Sequence, residues 1–456
     1  MVIFFIFSFG YLILNSLFLL VDSKLTCSVS KGSVERLIYN NNISKRKLNN
    51  NNFEEIRIYI STEHIKKQIE SYFYENYDTE LLNRIFLHLN NAKTYIEKLI
   101  KIQRRNDDIV VSEEDQTSQS KLFLRAADTI LSRGVDSDLV IIPTYHIDNN
   151  YDFSITNYLR DESTNRVILS KLIIPAQYLN NEIISAMELE ILLFHEIMHI
   201  LGFTYDNFQY FKDGINQVFY QSGSKYYIIS SNVVKLAKEY YGCDSDTLIG
   251  LSLEIEKDSD DSISACHWDS KILLGEVMNK ELYTPEVVIS EFTLALLEDS
   301  GWYEVNYYTG GLMRFGKNKG CDFLKYNCAT IQYESKYKNE FFDLYDINNP
   351  SCSSGRLSRT YCDRTINYNS CPVFYYKEAE EQIKKFIGSC SIGNGEYGIN
   401  IEYNNGLNIK SGNLEKYLGE EYSNNSFCVL SEIINTDINS EIDPEDYEGI
   451  VHNKNK

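Results

Sequence analysis

The chain has 456 residues, of which 43% are hydrophobic and 13% aromatic. A chain of this length and apolar content can form two or three globular domains, which excludes a disordered protein. The formal net charge of −21 argues against nucleic acid as a partner and against docking on an anionic membrane, because both depend on clustered Lys and Arg.

The first predicted element is an apolar N-terminal segment. Residues 2–20 carry no charge, and Val-Asp-Ser follows at 21–23, an arrangement typical of a signal peptide over residues 1–23. Because the segment is slightly long and has no basic flank, an uncleaved N-terminal membrane anchor is the alternative. The polar C-terminal end predicts no lipid-replaced anchor there. We therefore expect a secreted or cell-surface protein.

A mixed α/β half is predicted after a polar linker. Residues 24–52 are of low complexity and contain a basic tripeptide at 45–47, which indicates a short propeptide or linker with a processing site. The regular segments that follow are a strand-like alternation at 56–61, helical spacing over 64–102, and two β-type runs ending at prolines, 137–143 and 167–175.

The sequence ILLFHEIMHILGF, residues 191–203, predicts a zinc-binding helix. His195 and His199 are four residues apart, so both imidazoles lie on one face and can bind one zinc ion. Glu196 lies about 100° around the helix axis, where it can hold a zinc-bound water and act as general base. Gly202 is expected to end the helix. Structural histidines are the alternative, but three polar groups in so apolar a helix need partners.

A catalytic zinc ion usually has a third protein ligand. The common extension HExxHxxGxxH would place it at position 205, which is Tyr205. The remaining histidines outside the polar tail with His452 are His64, His88, His146 and His267. A glutamate on a following helix, Glu254 or Glu256, is a different solution. The residue pattern alone leaves this choice open.

A family resemblance selects among these candidates. The segments FHEIMHILGF, HWDSKILLGEVMNK and TLALLEDSGWYEVNY together resemble leishmanolysin, peptidase family M8 of the metzincins, over roughly residues 53–330. The resemblance implies that His267 is the third ligand of one Zn²⁺ ion. It also implies that Met278 lies in the turn beneath the zinc, as packing and not as a ligand, and that proteins or peptides are the substrates.

The resemblance and the patterns together predict an α+β metzincin fold. A mixed α/β N-terminal catalytic domain with the zinc-binding helix is expected over residues 53–206. A mostly helical central domain, with the third histidine and the methionine turn, is expected over residues 207–329. The C-terminal domain, residues 330–456, is expected to be rich in disulfides, because seven of the ten cysteines fall at or beyond residue 321.

The cysteines also suggest a regulatory hypothesis. Pairing Cys243 with Cys321, and the six later cysteines among themselves, leaves Cys27 and Cys266 over. The resemblance implies an inhibitory cysteine in the propeptide, whose thiolate would occupy the open zinc position, and Cys27 is the candidate. A Cys27–Cys266 disulfide is the alternative. Cys266, beside His267, is also a competing zinc ligand.

Three functions remain to be distinguished. The first is a zinc-dependent endopeptidase that hydrolyses extracellular or cell-surface proteins, with Glu196 as general base. The second is a zinc peptidase with a glutamate as third ligand. The third is a non-catalytic secreted or adhesion protein that retains the fold. The intact Glu196 disfavours the third, since a structural zinc site has no need of a base and usually has four protein ligands.

Overall fold

The fold was analysed in a computed structural model of the chain. The structure describes residues 28–29, 52–73, 79–111, 129–147, 152–179, 186–244, 248–257, 263–280, 287–309, 311, 313–325, 337, 340–341, 351–352, 359–368, 371–375, 401–402 and 408–409. The N-terminal apolar segment and most of the predicted C-terminal domain therefore lie outside the described residues. No helix in the described ranges combines the length and apolar character needed to cross a membrane.

A five-stranded sheet forms the framework of the N-terminal half. Its order is β1-β6-β7-β5-β3. The strands are β1 (Ser28–Val29), β3 (Ile58–Ile60), β5 (Leu139–His146), β6 (Ser154–Arg160) and β7 (Val167–Pro175). β5 is parallel to β3 and β7, whereas β6 is antiparallel to β7. The first seven residues of β5 are buried, as expected for a strand covered on both faces. The predicted β-type runs are thus confirmed.

Three helices cover this sheet. They are α1 (Glu63–Phe73), α2 (Thr79–Leu99) and α3 (Ala186–Leu201). α1 packs on β5, and α2 packs on α3. The helical spacing predicted over 64–102 is confirmed in α1 and α2. The prediction for residues 100–102 is wrong, because they form a strand, β4 (Ile100–Ile102). The alternation of two buried isoleucines around an exposed Lys101 suits a pleated strand and not a helix.

Strand β4 joins three distant parts of the sequence. It lies between β2 (Glu54–Glu55) and β12 (Tyr303–Val305) in an antiparallel sheet. The partner strands lie far from β4 in sequence, so the hydrophobic pattern of residues 64–102 alone does not reveal the pairing. Short 3₁₀ helices complete this half at Thr129–Ser132, Ala176–Leu179 and Tyr307–Thr309.

The prediction of a mostly helical central region is wrong. A four-stranded antiparallel sheet of order β11-β10-β9-β8 lies there, with strands β8 (Phe219–Ser222), β9 (Lys225–Ile228), β10 (Leu251–Lys257) and β11 (Ile263–Trp268). The helices are α4 (Tyr205–Phe208), α5 (Ile215–Val218), α6 (Ser231–Tyr241), α7 (Glu291–Asp299) and α8 (Cys321–Lys325). The strands are short and rich in aromatic and β-branched residues, which favour strands over helices. The fold is therefore mixed α/β on both sides of the zinc motif.

One hydrophobic core extends through both halves. Its buried members run from Ile56 to Phe341 and include α3, β11 and α7 residues.

The predicted Cys243–Cys321 disulfide is confirmed. Beyond it, the structure describes strands β13 (Ser351–Cys352), β14 (Arg359–Tyr368), β15 (Cys371–Tyr375), β16 (Ile401–Glu402) and β17 (Asn408–Ile409). The cysteine pairing predicted for residues 330–456 lies outside the described side chains.

Candidate metal centre

Helix α3 supplies the first residues of the site. From Leu192 onward all of its residues are buried, so its polar side chains must find partners inside the protein. The helix ends at Leu201, and Gly202 follows with φ 151°. Its N–H and that of Phe203 both donate to the Met198 carbonyl, which satisfies carbonyl groups left open at the helix end.

Strand β11 brings His267 to this helix from the central region. β11 pairs with β10, and His267 lies opposite Glu254 in the register. The turn that follows β11 is anchored to it, because the Trp268 N–H donates to the Met278 carbonyl over 2.9 Å. Thus the end of one strand and the turn after it approach the face of α3 that carries the two histidines.

The three imidazoles converge through their Nε2 atoms. The His195 Nε2 lies 2.9 Å from the Nε2 of His199 and 3.1 Å from that of His267. All three side chains are buried, and together they form a group of ligand atoms close enough to hold one metal ion. The spacing HExxH placed two of these nitrogens together, and the fold adds the third across a long excursion of the chain.

Backbone carbonyls fix the orientation of two of the rings. The His195 Nδ1 lies 2.6 Å from the Val277 carbonyl oxygen, and the His199 Nδ1 lies 2.8 Å from that of Phe203. A carbonyl can only accept, so each Nδ1 carries the proton and each Nε2 presents its lone pair. This outer hydrogen bond to a metal-binding histidine is the usual device that sets its tautomer.

The donor set fits a zinc ion. Burial, reinforced by the neighbouring His267, lowers the pKa of His195 to about 3, and burial likewise holds the pKa of His199 well below its usual range. Neutral rings whose lone pairs face one another repel, and a cation held by the three nitrogens would remove that repulsion. Three neutral imidazoles are a ligand set typical of catalytic zinc.

Glu196 follows His195 directly in helix α3. Its side chain is buried, and burial, assisted by the charge of Asp152 at the start of the β6 segment, raises its pKa to about 8. A divalent cation near a carboxyl group lowers the pKa of that group. Metal binding would therefore lower the pKa of Glu196 toward 7, the value of neutral pH. A carboxyl group with such a pKa can both accept and return a proton at neutral pH.

The turn at 276–279 contains Met278 and three residues that the sequence analysis did not single out. Met278 is fully buried, and the carboxylate of Glu276 accepts from the backbone N–H of Met278 and of Ser290. Burial raises the pKa of Glu276 to about 7 against the opposing effect of its donors. The signal in the sequence is a carboxylate and an amide inside the otherwise apolar run LLGEVMN.

Within the described part of the chain, none of the other candidate ligands belongs to the three-histidine group. His64 is in α1, His88 contacts Glu190 over 2.8 Å, and His146 ends β5. Glu254 is in a strand, not a helix, and accepts from the Ser270 hydroxyl over 3.4 Å.

Tyr205 is exposed at the start of α4. The side chain of Glu256 and all of Cys27 lie outside the described residues.

Cys266 does not have a free thiolate to offer a metal, since it is disulfide-bonded. The expectation that it competes with His267 for zinc is therefore wrong. Its partner is neither Cys243 nor Cys321, because these two are bonded to each other.

Comparison with known proteins relates the chain to leishmanolysin and its homologues. The leishmanolysin family model matches residues 79–454, which is most of the chain. A leishmanolysin-like peptidase of Caenorhabditis elegans is 29% identical over 38% of this chain, and a leishmanolysin homolog of Crithidia fasciculata is 28% identical over 43%. The leishmanolysin of Leishmania chagasi is 29% identical over 40%. These matches cover 26%, 31% and 29% of the relatives' own lengths, so the chain aligns with less than a third of each.

Proposed function

This chain belongs to the leishmanolysin family of zinc-dependent metallopeptidases, and on that premise we propose that it is an endopeptidase acting on extracellular or cell-surface proteins. The observation that carries the proposal is the convergence of three buried Nε2 atoms, with the buried Glu196 directly after His195 in the same helix. The chain aligns with only part of each relative, so activity and substrates of the whole protein are part of this proposal.

The residues of the site divide the reaction between them. His195, His199 and His267 would hold one zinc ion, which when bound polarises the scissile carbonyl and lowers the pKa of a bound water. Glu196 takes a proton from the attacking water as the new C–O bond forms. It returns that proton to the amide nitrogen as the C–N bond breaks, so the products are a carboxylic acid and an amine.

A glutamate as third ligand has less support. Glu254 lies in β10 and is engaged by Ser270, whereas His267 already lies within hydrogen-bond distance of His195. A non-catalytic adhesion protein also has less support, since Glu196, a buried glutamate directly after His195 in the helix, has no evident structural purpose and costs free energy to bury.

The proposal includes the organisation of the chain. We propose a signal peptide over 1–23, a propeptide or linker over 24–52, catalytic and central regions over 53–206 and 207–329, and a cysteine-rich C-terminal domain over 330–456. Metzincin is the proposed fold group, and the secretory pathway is the proposed route. The confirmed Cys243–Cys321 disulfide supports an oxidising compartment.

Latency of the enzyme is proposed to depend on Cys27. The disulfide bond of Cys266, directly beside His267, favours a disulfide role for Cys27 over a zinc-bound thiolate. If the Cys27 thiolate occupies the open zinc position, cutting the chain at the basic tripeptide 45–47 should raise proteolytic activity, whereas a Cys27–Cys266 disulfide predicts no activation by the cut. Equal activity before and after the cut would remove the latency idea and leave the zinc site untouched.

The decisive experiment is hydrolysis of casein by the purified full chain after cleavage at 45–47. We expect activity that a chelator removes and added zinc restores. The matched variant Glu196→Gln should bind zinc and yet lose about 100- to 10,000-fold in kcat, the usual contribution of a general base. Chelator-resistant hydrolysis, or full activity in Glu196→Gln, would show that the proposed site is not responsible.

A further inference from the structure

Glu276 is a buried carboxylate that the reaction itself does not use. Its side chain is fully buried, and its two oxygens accept four hydrogen bonds. The donors are the backbone N–H of Met278, the backbone N–H and hydroxyl of Ser290 and the hydroxyl of Thr293. A buried carboxyl group without partners would cost several kcal/mol, on the order of the penalty for a buried charge, so this complete set of donors indicates a specific role.

The first consequence of this anchoring concerns His195. Glu276 holds the N–H of Met278, and its own N–H donates to the Asn279 side chain over 3.0 Å. Val277 lies between these two fixed points. Its carbonyl therefore points in one direction, toward the His195 Nδ1 at 2.6 Å, and this contact decides which nitrogen of His195 faces the metal.

The second consequence concerns His267. The next residue, Trp268, is held by the same turn: its N–H donates to the Met278 carbonyl, and its carbonyl accepts from the Asn279 amide. The Trp268 indole N–H donates to the Thr293 hydroxyl over 2.9 Å, and that hydroxyl donates in turn to Glu276 over 2.5 Å. The carboxylate thus reaches the backbone beside His267 through a chain of buried contacts.

We propose that Glu276 is a positioning residue of the metal centre, which sets the orientation of His195 and His267 together by fixing the turn at 276–279 between β11 and α7. The inference rests on the proposed metal-dependent function. It goes beyond that function by assigning the geometry of two ligands, which come from different parts of the chain, to one carboxylate that touches neither of them.

Measurement of zinc affinity tests this role directly. Glu276→Gln keeps the side-chain size but puts an NH₂ donor where one oxygen accepted, so at least one buried donor loses its acceptor. We expect the zinc Kd, measured by competition with a chelator, to rise by about 10- to 100-fold, the usual effect of removing an outer partner of metal-binding histidines. The visible spectrum of the cobalt-substituted protein should also change, because it reports ligand geometry.

A matched control is Glu340→Gln. Glu340 is a similarly buried carboxylate that accepts from the Gly316 N–H over 3.0 Å and pairs with Lys319. Its replacement should lower the melting temperature but change the zinc Kd by no more than about twofold, as for independent sites.

A purely structural role would give a different result. Glu276→Gln would then lower the melting temperature of the metal-free protein while the zinc Kd and cobalt spectrum stayed those of wild type, and the inference would be overturned. If Glu276→Gln does not fold, Thr293→Val removes the contact between Trp268 and Glu276 without changing shape, and should raise the zinc Kd in the same direction.

The peptidase proposal and the proposed role of Glu276 can be refuted independently of each other. Wild-type protein that binds zinc tightly and hydrolyses no protein would refute the proposed function and leave the Glu276 role standing. Unchanged zinc affinity in Glu276→Gln or in the substitute Thr293→Val would refute the Glu276 role and leave the peptidase proposal standing.

Discussion

At the scale of single residues, the metal centre depends on which nitrogen of each ring carries a proton. Two carbonyls, from Val277 and Phe203, hold the protonated Nδ1 atoms of His195 and His199. Both carbonyls belong to chain turns and not to the helix that carries the histidines. The orientation of the site is therefore set by the ends of elements, while the helix only sets the spacing.

Replacement of His267 tests which residue completes the ligand set. In His267→Ala the two helix histidines remain, and we expect the zinc affinity to fall by more than about 100-fold, beyond the loss from an outer contact. Glu254→Gln should keep one zinc per chain, since Glu254 contacts Ser270 in β10. Metal analysis of both purified variants after dialysis measures this. Zinc retained in His267→Ala but lost in Glu254→Gln would favour the glutamate alternative.

The sequence predicts the candidate zinc ligands better than it predicts the residues that orient them. His195, Glu196 and His199 follow from helical periodicity, which is local, whereas His267 was reached only by family resemblance because its approach depends on the β11 pairing. Glu276 and Asn279 were missed. Their importance arises from contacts with Ser290 and Trp268, which no spacing rule within the sequence encodes.

At the scale of elements, the end of α3 shows how a turn serves the site. Gly202 has φ 151°, and a Cβ added there would lie 3.3 Å from the Trp302 ring. The change of chain direction at Gly202 brings the Phe203 carbonyl within hydrogen-bond distance of the His199 ring. The Tyr303 hydroxyl donates to the Leu201 carbonyl over 2.8 Å. These contacts therefore connect the end of α3 both to the orientation of His199 and to strand β12.

Gly202→Ala should therefore cost both stability and activity. Positive-φ strain of about 1–3 kcal/mol would combine with contact against Trp302, and displacement of Phe203 would weaken metal binding. Gly223→Ala is the matched control, with φ 61° and nothing within 4 Å of the added Cβ, and it should cost about 1 kcal/mol with unchanged zinc affinity. Urea denaturation and zinc titration measure both effects. Equal zinc affinity in the two variants would contradict the link between turn and site.

A partly buried ion pair between Arg57, just before β3, and Asp138, just before β5, predicts a pH dependence. Burial opposes ionisation of Asp138, but hydrogen bonds from the Arg57 side chain and from the backbone N–H of Arg57 and Arg105 outweigh it and hold the pKa below its usual range. A depressed pKa stabilises the fold above the unfolded value, near about 3.9, and this contribution is lost as the pH falls through the folded pKa.

Asp138→Asn should consequently lower the free energy of unfolding by about 2 kcal/mol at neutral pH, the scale of a charged hydrogen bond. The difference from wild type should shrink below about pH 4. Asp136→Asn is the control, since Asp136 contacts the same Arg57 but its side chain is 78% exposed, and it should cost under about 0.5 kcal/mol. Denaturation curves from pH 3 to 7 would show it, and a pH-independent difference would contradict the assignment.

Among the elements themselves, strands were predicted where hydrophobic runs are continuous and missed where they are short. β5 and β7 carry long buried runs that few other structures accommodate. β8 and β9 have only four residues each, and β10 pairs with β9 across helix α6, so no continuous apolar run marks this sheet in the sequence. The C-terminal residues of the 64–102 segment became β4 because β2 and β12 pair with it, a tertiary effect that outweighs local propensity.

At the scale of the whole molecule, one core joins the regions on either side of the predicted boundary at residue 206. Trp268 and Met278 are buried in the same cluster as the zinc helix and the β5 strand. The pairing of Tyr303–Val305 with Ile100–Ile102 ties the two regions through a shared sheet. Because His267 comes from one region and His195 from the other, disturbance of the packing between them should affect the metal centre before either region unfolds.

The Cys243–Cys321 disulfide gives a last prediction at this scale. It joins residues 78 apart in sequence and so encloses β10, β11, the 276–279 turn and α7 in one covalent loop. Because a crosslink across a loop of this size restricts the unfolded chain, the double variant Cys243→Ala/Cys321→Ala should lose about 4 kcal/mol of unfolding free energy. Cys321→Ala alone breaks the same bond and should cost nearly as much, within about 0.5 kcal/mol of the double variant. Urea denaturation without reductant compares wild type, the double variant and the single variants Cys243→Ala and Cys321→Ala. Additive losses from the two single variants would show that packing of the sulfur atoms, not the loop, is the source of the stability.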